Sequence, residues 1–243
     1  MPEVSIEING RKLNVAKAID ISLPIDFSLP HERAWYIGPS SRKAVVLGDW
    51  VGSTEAGGSV NFFNLQLNPH AHGTHIETEW HVHHHRQMYP AMDQWFLNGY
   101  LFTAEGKTNE ALDLRGLWPV LPKNTEALVI RTLPNPPSKA SMQYSQTHPP
   151  YLAPADAEKI ARQGISVLLI DLPSVDPEQD GGLLAAHKSF WKHQTKNSGQ
   201  QALIGELLYI PDRIDDGEYA VHIQHPAMIN DAVPARIFLI PFL

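Results

Sequence analysis

Seven of the thirteen histidines in this chain fall between His70 and His85, and Glu77 and Glu79 lie among them. The stretch reads His70-Ala71-His72-Gly73-Thr74-His75-Ile76-Glu77-Thr78-Glu79-Trp80-His81, followed by His83, His84 and His85. Imidazole nitrogens and carboxylate oxygens are ligands that borderline divalent metals such as zinc accept. Gathering them in a folded interior is costly unless something coordinates or neutralises them. The fold must therefore bring this cluster to a supported place, and a metal-dependent hydrolytic site is the reading these residue types suggest.

The rest of the composition narrows the class. With 43% apolar and 19% charged residues in 243, the chain is ordinary globular material able to bury a core. A formal net charge of −7 and the lack of any basic tract argue against a nucleic-acid partner. There is no cysteine, which removes disulfides, thiolate metal sites and a cysteine nucleophile together. The start, Met1-Pro2-Glu3-Val4-Ser5, lacks the basic patch and apolar core of a secretory signal. No apolar run approaches the roughly 18 residues of a membrane span. The expectation is a soluble, cytoplasmic protein acting on a small molecule, with no membrane partner.

Local patterns give a coarse map. Residues 4–15 read as a β-hairpin turning at Asn9-Gly10, within an N-terminal arm over residues 1–19. Asp20 to Ile25 is a short strand closed by Pro24, and positions 26–43 hold the proline, glycine and serine of a loop. Ala44 to Leu47 is a strand, 52–59 a glycine-rich turn, and Val60 to Leu67 a half-buried strand running directly into the histidines. If that strand resumes after Gly73, period two places His75 and Glu77 on one face, and Ile76 and Thr78 on the other. Apolar runs at 101–103, 127–130, 167–170, 203–210, 219–223 and 237–240 are too short for most helices. A helix is expected over Pro154–Gln163, with proline at its start, acids in its first turn and Gly164 beyond its end. A second helix covers Leu183 to Trp191. No repeat interrupts the chain, and residues 1–243 are read as one domain.

The run Gly73-Thr74-His75-x-Glu77-x-x-x-His81 resembles the His-x-Gly-Thr-His-x-Asp-x-Pro-x-His signature of the cyclase-like metal-dependent hydrolases. That family includes bacterial kynurenine formamidase and isatin hydrolase. Other segments fall in the family's order: Asp20-Ile21-Ser22, His148-Pro149-Pro150-Tyr151-Leu152, Asp171-Leu172-Pro173-Ser174-Val175-Asp176, and Asp231-Ala232-x-Pro234-Ala235-Arg236. His187 and Glu206 lie where the family has its late metal-binding residues. The chain departs from the signature at Ala71, where the first ligand histidine would stand, at Glu77 in place of aspartate and at Glu79 in place of proline.

The resemblance implies an α/β fold, a mixed β-sheet core with flanking helices of the swivelling β/β/α type. It implies one or two divalent ions, zinc or manganese, held by His75, Glu77, His187 and Glu206 with His70 or His72 supplying the ligand missing at Ala71. Metal-activated water would attack a formamide, amide or cyclic amide carbonyl, with His81 as general acid/base, as in an arylformamidase of tryptophan catabolism. It also implies a homodimer or higher homo-oligomer, with the N-terminal hairpin covering the partner's site. A hydrolase of a cyclic amide or lactone, and a non-catalytic protein that binds metal or a small acid, are the alternatives. Glu206 has independent support, because a carboxylate within Ala202-Leu203-Ile204-Gly205-Glu206-Leu207-Leu208 needs a partner. His83, His84 and His85 read as a solvated loop, Asp171 and Asp176 as turn and helix-start residues. Trp35, Trp50, Trp80 and Tyr89 are candidate pocket walls or packing residues.

Overall fold

The computed structural model describes residues 6–8, 10–84, 94, 96–194 and 201–243. From the N-terminal end, β1 (Glu7–Ile8) and β2 (Arg11–Lys12) form a hairpin, and β3 (Ile19–Asp20) follows. Next, β4 (Ser41–Ala44), β5 (Val46–Leu47), β6 (Trp50–Val51) and β7 (Phe63–Gln66) make two short antiparallel ladders. Helix α1 (Pro69–His72) then leads into β8 (His75–Glu77). The remainder alternates: β9 (Leu97–Glu105), β10 (Ala127–Leu133), α2 (Pro154–Arg162), β11 (Val167–Ile170), α3 (Ala185–Lys192), β12 (Leu203–Glu206), β13 (Gly217–Gln224), β14 (Ala232–Pro234) and β15 (Arg236–Ile240).

One nine-stranded sheet takes the order β14-β8-β12-β11-β10-β9-β13-β15-β3. Its centre, β12-β11-β10-β9, is parallel, and the strands outside it pair antiparallel. Helices α2 and α3 lie in the β10–β11 and β11–β12 crossovers that these parallel neighbours require, and they pack on one another. The central strands are buried on both faces, which is why they read as unbroken apolar runs. Leu128, Ile130, Leu168 and Ile170 face Ile160 and Phe190 of the helices, whereas Ala127, Val129, Val167 and Leu169 join Leu101, Ile76, Val221 and Ile237 on the other side. The sheet is curled. Only Ala235 separates β14 from β15, yet these are first and eighth in the order. The loop after β3 laces the gap, with Leu23 N–H donating to Thr74 Oγ1 at 2.7 Å and Ile237 N–H to Ser22 Oγ at 2.7 Å.

Helix α2 and α3 lie within two residues of the sequence expectation. The described part of the N-terminal hairpin lies on the chain's own C-terminal end: the Arg11 guanidinium lies 3.6 Å over Phe242, and Ile6 and Ile8 pack by Leu13 and Ile240. Three other readings change. The expected loop at 26–43 ends in a strand, since β4 already begins at Ser41. The run 60–67 is not half-buried; among the described residues β7 pairs only with β4, and Leu65 is 58% exposed. Alternation shows that a strand has two faces, but not whether anything covers either of them. Finally, the strand does not run into the histidines. Asn68 caps α1 by accepting the His70 N–H at 2.9 Å, with Pro69 in the first turn.

Candidate metal centre

Strand β8 supplies the floor of the site. His75 and Glu77 share one face of it, while Ile76 points into the opposite core. Antiparallel pairing sets Glu206 of β12 directly across from His75. From the helical layer, α3 brings His187 down on the same spot. Gly73 allows α1 to meet β8, because a Cβ there would lie 2.8 Å from Ile25 Cγ1 and 3.0 Å from the Leu23 carbonyl.

The four side chains converge. His75 Nε2 is 3.3 Å from Glu77 Oε1 and 3.5 Å from Glu206 Oε2. His187 Nε2 is 3.1 Å from Glu77 Oε2 and 3.4 Å from Glu206 Oε1. Both carboxylates are almost fully buried, and their ion pairs run to histidines. The outer nitrogens are held as well: His187 Nδ1 lies 2.6 Å from Asp176 Oδ2, and His75 Nδ1 lies 3.0 Å from the Gly73 carbonyl. Glu206 also accepts the Val175 N–H at 2.9 Å.

Of the two candidates beside Ala71, only His70 joins the cluster. Its Nδ1 is 2.5 Å from Glu77 Oε1. Residues two apart on a helical turn do not share a face, so His72 points away. Its Nδ1 meets the backbone of Asn68, and its Nε2 lies 3.0 Å from the Gly38 carbonyl. His81, in a 3-10 turn over Glu79–His81, stands at the open side with its ring centroid 4.5 Å from His70 and 5.4 Å from His187. Glu79 turns to His83 at the surface, 3.4 Å away. Trp35 closes on the cluster from behind, its indole N–H donating to the His70 carbonyl at 3.0 Å. Trp50 lies away on the β5–β6 ladder, edge-on to Phe62. His85 and Tyr89 lie outside the described residues.

Two residues with no assigned site role turn out to touch the cluster. Asp176 accepts the N–H groups of Ala186 and His187 at the start of α3, at 2.7 and 3.1 Å, as well as the His187 ring. Asp231 approaches through the pairing of Ala232 with Glu77, and its Oδ2 faces both His70 Nε2 and His81 Nδ1. The sequence signal for Asp176 was its place ahead of His187; for Asp231 it was the closing segment of the resemblance. Neither reveals a contact by spacing alone.

The charges are strongly coupled. Burial alone would lower the pKa of His70, but the Glu77 charge and the hydrogen bonds to Asp231 and Glu77 push it up to about 10. Burial likewise opposes protonation of His187, and the carboxylates of Asp176, Glu206 and Glu77 override it. Glu77 is held well below the usual carboxylate range in spite of burial, by the charge of His70 and hydrogen bonds from His187, His70 and His75. Carboxylates facing imidazoles, with no lysine or arginine among their ion pairs to the described residues, are a donor set that suits a divalent cation with mixed nitrogen and oxygen preference. Two overlapping triads have this character: His75, Glu77 and Glu206, and His70, Glu77 and His81.

Comparison with known proteins shows the family of the chain and the fold it shares. The sequence profile of a family described as Putative cyclase matches residues 19–177. The kynurenine formamidase of Bacillus anthracis is 27% identical over 234 residues, 94% of this chain and 100% of the relative. Among solved structures, a Bacillus stearothermophilus protein described as a predicted metal-dependent hydrolase aligns with a TM-score of 0.66 at 16% identity, covering 92% of this chain and 98% of its own. An isatin hydrolase bound to the product analogue thioisatinate aligns with a TM-score of 0.66 at 12% identity, covering 93% of each chain. At these identities the structural likeness concerns the fold.

Proposed function

Because the chain belongs to the cyclase family, we propose that it is a metal-dependent hydrolase that cleaves the C–N bond of an amide or formamide. The observation that carries this reading is the buried convergence of His75, Glu77, His187 and Glu206 beside the partly open His81. These four residues, with His70, would hold the divalent cation, zinc or manganese. The chemistry a cation supplies in such a place is Lewis acidity, towards a carbonyl oxygen and towards water.

The chain's own residues do the rest. Asp176 and the Gly73 carbonyl fix the ring orientations of His187 and His75, so that both Nε2 atoms face the carboxylates. Glu206 is held by the Val175 amide. His81 takes the proton of the attacking water as the C–O bond forms, and returns it to the leaving nitrogen as the C–N bond breaks. The products are a carboxylic acid and an amine, and His81 ends in its starting state.

Relatives named kynurenine formamidase support an N-formyl arylamine as the first substrate to test, and the neighbour named isatin hydrolase supports a cyclic amide as the second. The test is turnover of both by chelator-treated protein before and after addition of zinc or manganese. Metal-restored release of amine or ring-opened acid is the expected result; no turnover of either with both metals would remove the reading.

The partner we infer is a second copy of this chain, met through the exposed arm of β4 to β7. Val46, Leu47, Phe62 and Leu65 are each more than half exposed on that arm, at 63, 66, 57 and 58%. Isolated two-stranded hairpins are marginally stable at best, and Asn68 follows directly after the arm at the start of α1. Exposed Met228 and Ile229 lie close in sequence to Asp231.

A further inference from the structure

Asp231 precedes β14, and the backbone decides where its carboxylate can go. The Thr78 N–H donates to the Asp231 carbonyl at 2.9 Å, and the Thr78 hydroxyl does so at 3.1 Å, which pins the residue beside the end of β8. One carboxylate oxygen, Oδ2, then lies 3.0 Å from His70 Nε2 and 3.2 Å from His81 Nδ1. A carboxylate accepts on both oxygens, so it selects the N–H-bearing nitrogen of each ring and leaves the other to work. For His70 the other nitrogen is Nδ1, 2.5 Å from Glu77 Oε1. For His81 it is Nε2.

The same pattern repeats around the cluster. His187 is held from outside by Asp176, and His75 by the Gly73 carbonyl, each through Nδ1. Asp231 completes the set, and it serves two histidines with one oxygen. The chain also needs such a device, since Ala71 occupies the position where the resembled signature carries a histidine, and Ala71 is fully buried with no ligand atom to offer.

We propose that Asp231 is a positioning residue of this site: it orients His70 as the cation ligand that replaces the side chain missing at Ala71, and it sets His81 to transfer protons through Nε2. This rests on the cation site argued above and adds an assignment to it. A carboxylate shared in this way ties metal affinity and proton transfer to one side chain, so a single substitution must disturb both.

The test uses the full-length, untagged chain as wild type, D231A, D231N, H70A and the H70A/D231A double variant. Zinc and manganese affinities are measured by competition with a chromophoric chelator, and histidine tautomers by 15N–1H correlation spectra of the zinc-loaded protein. D231A should weaken affinity by about 10–100-fold, the range for loss of an outer partner of a ligand, and H70A, which removes the ligand itself, by at least as much. The double variant should bind as H70A does, because Asp231 acts through His70. His81 should carry its proton on Nδ1 in the wild type and lose that fixed tautomer in D231A. D231N, which keeps the shape and one acceptor oxygen, should fall between wild type and D231A, and serves if D231A does not fold. Wild-type affinity in both Asp231 variants, or an unchanged His81 tautomer, would overturn the assignment while leaving the cation site standing. A wild type that takes up neither metal would remove the cation site itself.

Discussion

Glu77 is the residue on which the site turns. Its two oxygens reach three imidazoles, at 2.5 Å for His70, 3.1 Å for His187 and 3.3 Å for His75. Glu77→Gln keeps the volume and removes the charge, so uptake of zinc or manganese should fall by more than about tenfold, the lower limit for losing even an outer partner. Titration of metal into the variant checks this. His81→Ala makes the contrasting prediction: turnover drops by about 10²–10⁴-fold while metal content stays at the wild-type level. Loss of metal along with turnover would make His81 a ligand. At this scale the sequence was informative wherever local geometry fixes the outcome. His75 and Glu77 share a face because strands have period two. The choice between His70 and His72 was not legible, because it depends on α1 being a helical turn, signalled only by Asn68-Pro69. Asp231 was marked only by the closing segment of the resemblance, and its contact was not legible, since it arises from the pairing of β14 with β8.

Two further carboxylates, the buried Asp171 and the partly buried Glu178, hold elements in place and lie outside the proposed chemistry. Lys139 donates to Asp171 Oδ2 at 2.7 Å and to Thr132 Oγ1 at 2.6 Å, joining the segment after β10 to the end of β11. Removing one member of such a pair strands the other, so Lys139→Met should cost about 3–5 kcal/mol of unfolding free energy. Urea denaturation measures it, and adding Asp171→Asn should recover part of the loss. Glu178 fastens Tyr36, through its hydroxyl, to the backbone amides of Gln146 and His148. Burial acts to raise its pKa, but those hydrogen bonds hold it below the ordinary value of 4.5. A depressed folded-state pKa means the stabilisation is complete above that ordinary value and is lost as pH falls through the folded value. Glu178→Gln should therefore flatten the acid limb of the stability curve, as read by urea midpoints at neutral and acidic pH. Element type was legible where caps and periodicity speak, as for α2 with Pro154 and Gly164. It failed for β7, whose alternation resembles a core-facing strand although it belongs to an exposed arm.

Over the whole molecule, the curled sheet explains how residues from both ends of the chain meet at one site. The first strand in its order, β14, flanks β8, and β12 flanks it on the other side. Short apolar runs marked most of these strands in the sequence, but not their order, which is set by non-local pairing. Among the described residues no helix is long and apolar enough to cross a membrane. The exposed arm leads to a prediction at this scale: the protein sediments as a dimer, and Leu47→Asp with Trp50→Asp shifts it towards monomer. A wild-type monomer in analytical ultracentrifugation would remove the partner. The claim on which the rest depends is that the cluster binds a divalent cation. Elemental analysis of untagged protein, beside a His75→Ala, Glu77→Ala double variant, tests it most directly. One or two equivalents of zinc or manganese in the wild type and none in the variant is the predicted result; no metal in the wild type after incubation with both ions would contradict it.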